Sequence, residues 1–102
     1  MAQRVAGRTR KILELFVAEP RKERYGLEVV RETGVGVSAV YATLRRLEDE
    51  GVLSSRWQTD QPPGRPPHHY YRLTNEGRRL ARERLQAAER RATSLAPGFA
   101  PA

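Results

Sequence analysis

Three groups of residues carry side chains at spacings that suit molecular recognition. The first lies in V-S-A-V-Y-A-T-L-R-R-L-E-D-E, residues 37–50, where Val37, Val40, Tyr41, Leu44 and Leu47 recur as on one face of an α-helix. Stepping around that helix at about 100° per residue sets Val37, Val40, Leu44 and Leu47 on a buried side. Ala42 and Arg46 fall near the opposite pole, with Ser38, Ala39, Thr43 and Asp49 around them. This outward face is small and polar toward its N-terminal end, so that end can enter a major groove and reach base edges. Glu48, Asp49 and Glu50 at the other end are repelled by phosphate, which fixes the orientation. A solvated surface helix has a similar face, so the helix alone does not decide; the hairpin that follows it does.

The second group is D-Q-P-P-G-R-P-P, residues 60–67. Prolines at 62, 63, 66 and 67 remove ladder donors, so the segment is a stiff projecting loop rather than a strand. It holds Arg65 between Gly64 and Pro66, and a cation on a rigid tip suits insertion into a minor groove. Pro63-Gly64-Arg65-Pro66 also reads as a P-x-x-P ligand, but a segment pinned between two strands is not a free polyproline helix. His68 and His69 form the third group. Adjacent residues on a strand point to opposite faces and cannot share one ion, so no metal site is expected. Outward His68 is placed to touch phosphate, and His69 to pack near Trp57 and Tyr71.

The elements that position these groups follow from periodicity and punctuation. Residues 1–8 read as a basic flexible arm in which Gly7 interrupts any helix. Thr9 is expected to cap a first helix at about 9–19, with Ile12, Leu13, Phe16 and Val17 apolar and Pro20 as its stop. After a basic turn (Arg21, Lys22, Arg24), residues 25–32 read as a short second helix burying Leu27 and Val30, with Val29 beside them. Gly34 and Gly36 punctuate the connection to the third helix, and Gly51 ends it. Val52 to Thr59 then alternates, with Leu53, Ser55 and Trp57 on one side. His68 to Leu73 resumes with Tyr71 and Leu73 inward, so the two strands and the loop form a hairpin in which Trp57 and Tyr71 are expected to pack together. Thr74 is an N-cap for a last helix, residues 75–95, and 96–102 reads as a disordered tail.

That last helix places Ala81, Leu85, Ala88, Ala92 and Leu95 at a 4-3-4-3 spacing, a heptad-like seam for self-association once Leu80 joins the parent domain. The fold class is therefore mainly α with a two-stranded β-hairpin, a winged helix-turn-helix over 9–74 followed by a dimerisation helix.

Composition narrows the function classes. The 102 residues carry 19 Lys plus Arg against 12 Asp plus Glu, a formal charge of +7, which favours a polyanionic partner. With no cysteine there is no disulfide framework and no thiol nucleophile, and a cytoplasmic setting is expected. The longest apolar run, Leu15 to Ala18, is far too short for a membrane span. No nucleophile motif, phosphate-cradling glycine loop or isolated carboxylate pair is present, so no catalytic residue and no cofactor are expected.

Several stretches together resemble the PadR family of bacterial winged-helix transcriptional regulators. They are R-Y-G-L-E-V-V, S-A-V-Y-A-T-L-R-R-L-E-D-E-G-V-L, the single Trp57, and G-R-P-P-H-H-Y-Y-R-L-T-N-E-G, within about residues 12 to 95. The resemblance implies a homodimeric repressor on a palindromic operator. It places recognition-helix contacts at Ser38, Ala39, Tyr41, Ala42 and Arg46, to which Thr43 and Arg45 are added as neighbours on the helix, and wing contacts at Arg65, with His68 beside it. The chain differs from the family at Ala42, often a proline, and at Pro67 and His68, often basic. It looks like the short form, without a separate C-terminal domain. Family members that sense drugs place aromatic residues at the dimer interface, and the last helix has none before Phe99, so a small-molecule effector is not supported. The expected partners are double-stranded DNA and a second copy of the chain. The rival reading is a winged-helix module for a protein or RNA partner that uses its charge only for nonspecific attraction.

Overall fold

The computed structural model describes residues 7–94, with side chains through residue 91. The element order is α1 (Gly7–Ala18), β1 (Arg24–Tyr25), α2 (Gly26–Thr33), α3 (Val37–Asp49), β2 (Leu53–Trp57), β3 (His69–Leu73) and α4 (Asn75–Ser94). The strands form one antiparallel sheet in the order β1-β3-β2. The architecture is four helices around a small winged sheet. Ile12, Leu13 and Phe16 of α1, Val29 of α2, Val40, Leu44 and Leu47 of α3, and Leu53, Tyr71 and Leu73 of the sheet share one core with Val35, Val52 and Ala81. The anticipated punctuation does its work at three points. Gly34 and Gly51 take φ of 74° and 80° after α2 and α3, a left-handed conformation that costs glycine little. Thr74 Oγ1 accepts from the Gly77 N–H at 2.7 Å, capping α4.

Several expectations need correction. The expected hairpin of β2 and β3 is present, but the sheet has a third strand: Arg24 and Tyr25 pair with Tyr71 and Tyr70. The supposed basic turn thus contains a strand, in which Arg24 is 1% exposed and is ion-paired to Glu19 at 3.0 Å and to Glu32. The sequence gives no signal of this burial, because the acidic partners lie five and eight residues away. The first helix begins at Gly7, so the arm does not include residues 7 and 8. Thr9 sits buried inside α1, its hydroxyl accepting from Arg46 Nη2 at 2.9 Å rather than capping. Residues 1–6, Leu95 and the 96–102 tail lie outside the described residues.

In α2 the burial departs from that expected at Leu27, which is exposed, while Val29 is buried and Val30 packs partly against the core. A Cβ on Gly26 would run into the Tyr41 ring, so the start of α2 packs tightly on α3. In α3, Val37 is exposed and Thr43 is buried, so the buried side is turned toward Thr43. The α1 helix touches α3, and Arg46 beside this flank donates to Thr9.

The phase assigned to β2 holds, but its last residue leaves the core behind. Trp57 is 59% exposed and stands opposite His69, while Tyr71 stands opposite Ser55, so Trp57 and Tyr71 are not a cross-strand pair. Trp57 instead lines an open cleft with Leu27 and Tyr41, which are themselves exposed, so nothing closes over its ring. In α4, Ala81 is wholly buried in the chain's own core, and Leu80 and Leu85 pack partly against it. Ala81 is therefore unavailable to a dimer seam.

Candidate nucleic-acid interface

Burial along α3 defines its free face. Val40, Thr43, Leu44 and Leu47 are inside, Ala39 is half-buried, and Ser38, Tyr41, Ala42, Arg45, Arg46 and Asp49 are exposed. The centre of this arc is Ser38, Ala42 and Arg45, with Asp49 on the same line at the C-terminal end, rotated from the Ala42 and Arg46 pole expected from an ideal helix. Arg46 forms one edge, its guanidinium bonded to Thr9 of α1. Tyr41 forms the other, held against Gly26 of α2. Thr43, a candidate contact, is 6% exposed and belongs to the interior.

A cleft of about 440 Å³ runs between α3 and the base of the hairpin, with Tyr41, Arg45 and Glu48 on one wall and Trp57, His69 and Tyr71 on the other. Its far wall is a ladder of rings. Trp57 stacks on His69 at 4.3 Å with 6° between planes, and His69 lies 4.7 Å from the Tyr71 ring. Tyr71 Oη and His69 Nδ1 are 3.2 Å apart. Burial pushes the Tyr71 hydroxyl above its ordinary pKa, so it stays protonated and can donate to that nitrogen. His69 thus packs between Trp57 and Tyr71 as expected. His68 does not simply face solvent: its ring stacks on Tyr25 at 4.2 Å and lies edge-on to Tyr70. Glu48 accepts from Ser55 Oγ, which fastens the C-terminal half of α3 to β2.

The wing leaves the sheet where the Gln58 N–H donates to the His68 carbonyl at 2.8 Å. At its tip the Arg65 N–H donates to Pro62 O at 3.2 Å, and Gly64 has a φ of 80°. Proline at the second position and a left-handed glycine at the third make a type II turn, which only glycine enters without strain. Arg65 is exposed just beyond it. At the base, Arg56 makes a bidentate bond to Glu23 at 2.6 and 2.7 Å. That bond, foremost, holds the Glu23 carboxyl below its usual range. The hairpin is thereby tied to the segment before β1.

An exposed helix with a small polar N-terminal half, buttressed by a second helix and followed by a stiff cationic wing, is the arrangement of a winged helix-turn-helix. The model of the transcriptional regulator PadR-like family matches residues 12–83, from within α1 through the first half of α4. This chain belongs to the PadR-like family of transcriptional regulators. Among solved structures, a PadR family transcriptional regulator from Eggerthella lenta is 29% identical, with a TM-score of 0.67 over 85% of this chain and 79% of that one. A PadR-like transcription factor from Bacteroides fragilis is 25% identical, with a TM-score of 0.67 over 89% and 87%. Bordetella bronchiseptica BpsR, whose DNA binding is regulated by 6-hydroxynicotinic acid, is similar in fold at 21% identity and a TM-score of 0.67 over 94% and 68%. A comparison with curated proteins gives no match.

As a PadR-like regulator the protein is a non-enzymatic DNA-binding protein, and the winged helix-turn-helix is the part that its family uses. Among the described residues no helix is long and apolar enough to cross a membrane, and no three His, Asp or Glu side chains gather to hold a metal ion. Sequence reasoning missed two supports of this surface, the Tyr41 contact on Gly26 and the Arg46 bond to Thr9. A glycine at the start of a helix signals close approach in general, but nothing in the sequence names what approaches it.

Proposed function

We propose that this PadR-like regulator is a sequence-specific repressor that binds a palindromic operator as a homodimer. In this reading the N-terminal half of α3 enters the major groove and Arg65 on the wing enters the adjoining minor groove. The observation that carries it is the free face of α3, where Ser38, Ala42 and Arg45 are exposed between two tethered edges on the same side as the open wing cleft. Ser38 and Ala42 are small enough to let the helix sit deep. Arg45, without a side-chain acceptor among the described residues, has the donors that pair with guanine. Ala39 and Tyr41 flank this contact, and His68 at the wing base lies near the phosphates.

The projecting half of α4 supplies the second copy's interface in this proposal. Ala88 is half-buried and follows Leu85 by three residues, and Ala92 and Leu95 continue the seam beyond the described side chains. A twofold axis through it would set two recognition helices about 34 Å apart, one turn of DNA.

The test is binding over a series of salt concentrations, using duplexes selected from random DNA and scrambled duplexes of the same composition. A specific regulator retains an affinity difference between the two at every salt concentration, on top of a common electrostatic slope. Identical affinities throughout would leave only charge attraction, as in a module for a protein or RNA partner.

A further inference from the structure

The face of the sheet turned away from the wing cleft carries a second basic feature. Ser54 and Arg72 are cross-strand partners and exposed, while Leu53, Tyr71 and Leu73 between and beside them are buried. Side chains alternate along strands, so Ser54 and Arg72 lie on the outer face. There a concavity of about 450 Å³ is lined by Arg21 from the turn after α1, Ser54, Arg72, Thr74, and Asn75 and Arg78 from the first turn of α4.

Arginines elsewhere in the described residues commonly use a neighbouring carboxylate: Arg10 with Glu14, Arg24 with Glu19 and Glu32, Arg56 with Glu23, Arg79 with Glu76 and Glu83, Arg84 with Glu50. Among the described residues, Arg21, Arg72 and Arg78 make no ion pair and no side-chain hydrogen bond. The Arg78 Nε is moreover buried without a partner. Glu23, which Arg72 also influences, has both oxygens on Arg56 at 2.6 and 2.7 Å. Three guanidinium groups around one hollow repel one another, and no acid lines the hollow to offset them.

We propose that this concavity is a binding site for a small phosphate-bearing anion, distinct from the surface that reads DNA. Guanidinium forks match phosphate oxygens two at a time, and several forks around one hollow favour a ligand with more than one phosphoryl group. The Ser54 hydroxyl and the Asn75 amide have no side-chain partner among the described residues and add neutral donors. Thr74 shapes the wall only, because its hydroxyl already donates to Gly51 O at 2.7 Å. The volume falls within the range of small-ligand sites and exceeds what a single orthophosphate fills. A small ligand is favoured over the DNA backbone because the sheet lies between this hollow and the cleft beside α3.

Calorimetric titration of the full chain with pyrophosphate, in a buffer free of phosphate and sulfate, tests the site. Saturable binding of one pyrophosphate per chain is expected, weakened about tenfold or more by Arg72→Gln and by Arg78→Gln, and unchanged by Arg65→Ala. Arg21→Gln, on an exposed turn that leaves the core untouched, should weaken it in the same direction and guards against misreading an unfolded variant. In parallel, the affinity of a random-sequence duplex should be the same for wild type, Arg72→Gln and Arg78→Gln. Heats that do not saturate, or that fall equally in Arg65→Ala, would reduce the site to general charge screening and overturn the proposal. Loss of duplex affinity in Arg72→Gln and Arg78→Gln would assign the cluster to DNA phosphates and overturn it as well.

Discussion

Arg45 and Arg46 are adjacent on α3, yet one guanidinium lines the wing cleft while the other donates to Thr9 Oγ1 at 2.9 Å. In the proposed complex the two would act differently on DNA. Arg45→Ala is expected to cost about 1–3 kcal/mol of discrimination at one base position in each half-site. Arg46→Ala should instead lower thermal stability, by about 1 kcal/mol for the missing hydrogen bond, and leave the ratio of operator to scrambled binding nearly unchanged. Titrations of both variants against both duplexes, beside melting curves, distinguish these outcomes. In the proposed complex Arg65, on the tip of the wing, meets only the minor groove or the backbone, where the base pattern is degenerate. Arg65→Ala should weaken specific and nonspecific binding together and lower the salt slope by about one unit for each phosphate that the side chain neutralises.

At the level of elements, stability and exposure separate two aromatic residues that alternation alone treats alike. Trp57 is more than half exposed and rests on His69, whereas Tyr71, two pairings further in, is 6% exposed. Trp57→Ala should therefore cost only about 0.5–1.5 kcal/mol, the range of an aromatic stacking pair, while Tyr71→Ala should cost about 3–5 kcal/mol as a large buried truncation. Urea denaturation of the two variants gives the comparison, and equal losses would contradict the exposed position of Trp57. The junction between the sheet and α4 is less forgiving still. A Cβ on Gly77 would overlap the Val52 backbone carbonyl and crowd Thr74 Oγ1, the cap of the helix. A backbone obstacle cannot rotate away, so Gly77→Ala should destabilise by about 1–3 kcal/mol or more, read as a lowered melting temperature.

The whole molecule divides the work of α4 between two ends. Its first half belongs to the core, through Ala81 and the partly buried Leu80 and Leu85, and lies against α1 and β3. The helix then continues to Ser94, about 30 Å from its start at the usual rise per residue. A substitution at Leu85 would confound folding with assembly, so Ala88 is the better probe of the proposed dimer. Ala88→Glu should leave the melting transition of the winged domain in place, halve the mass measured by sedimentation, and weaken operator binding. A dimer mass that persists would remove this seam from the interface.

Local sequence determined the elements, because their signals are local. The spacing of Val40, Leu44 and Leu47 makes a helix, the four prolines around Gly64 and Arg65 make a projecting loop, and Thr74 starts the last helix. The resemblance of the Leu44-to-Gly51 and Gly64-to-Gly77 stretches carried the family. What the sequence could not fix was every choice that depends on an element far away in the chain. Whether Thr43 or Val37 is covered depends on which elements pack on α3, and whether Trp57 is core depends on whether anything closes over the cleft that it lines. The pairing of Arg24 with Tyr71 joins strands separated in the chain by α2, α3 and β2. Burial is a property of what packs on a residue, and that is decided only when the helices and the sheet close on one another.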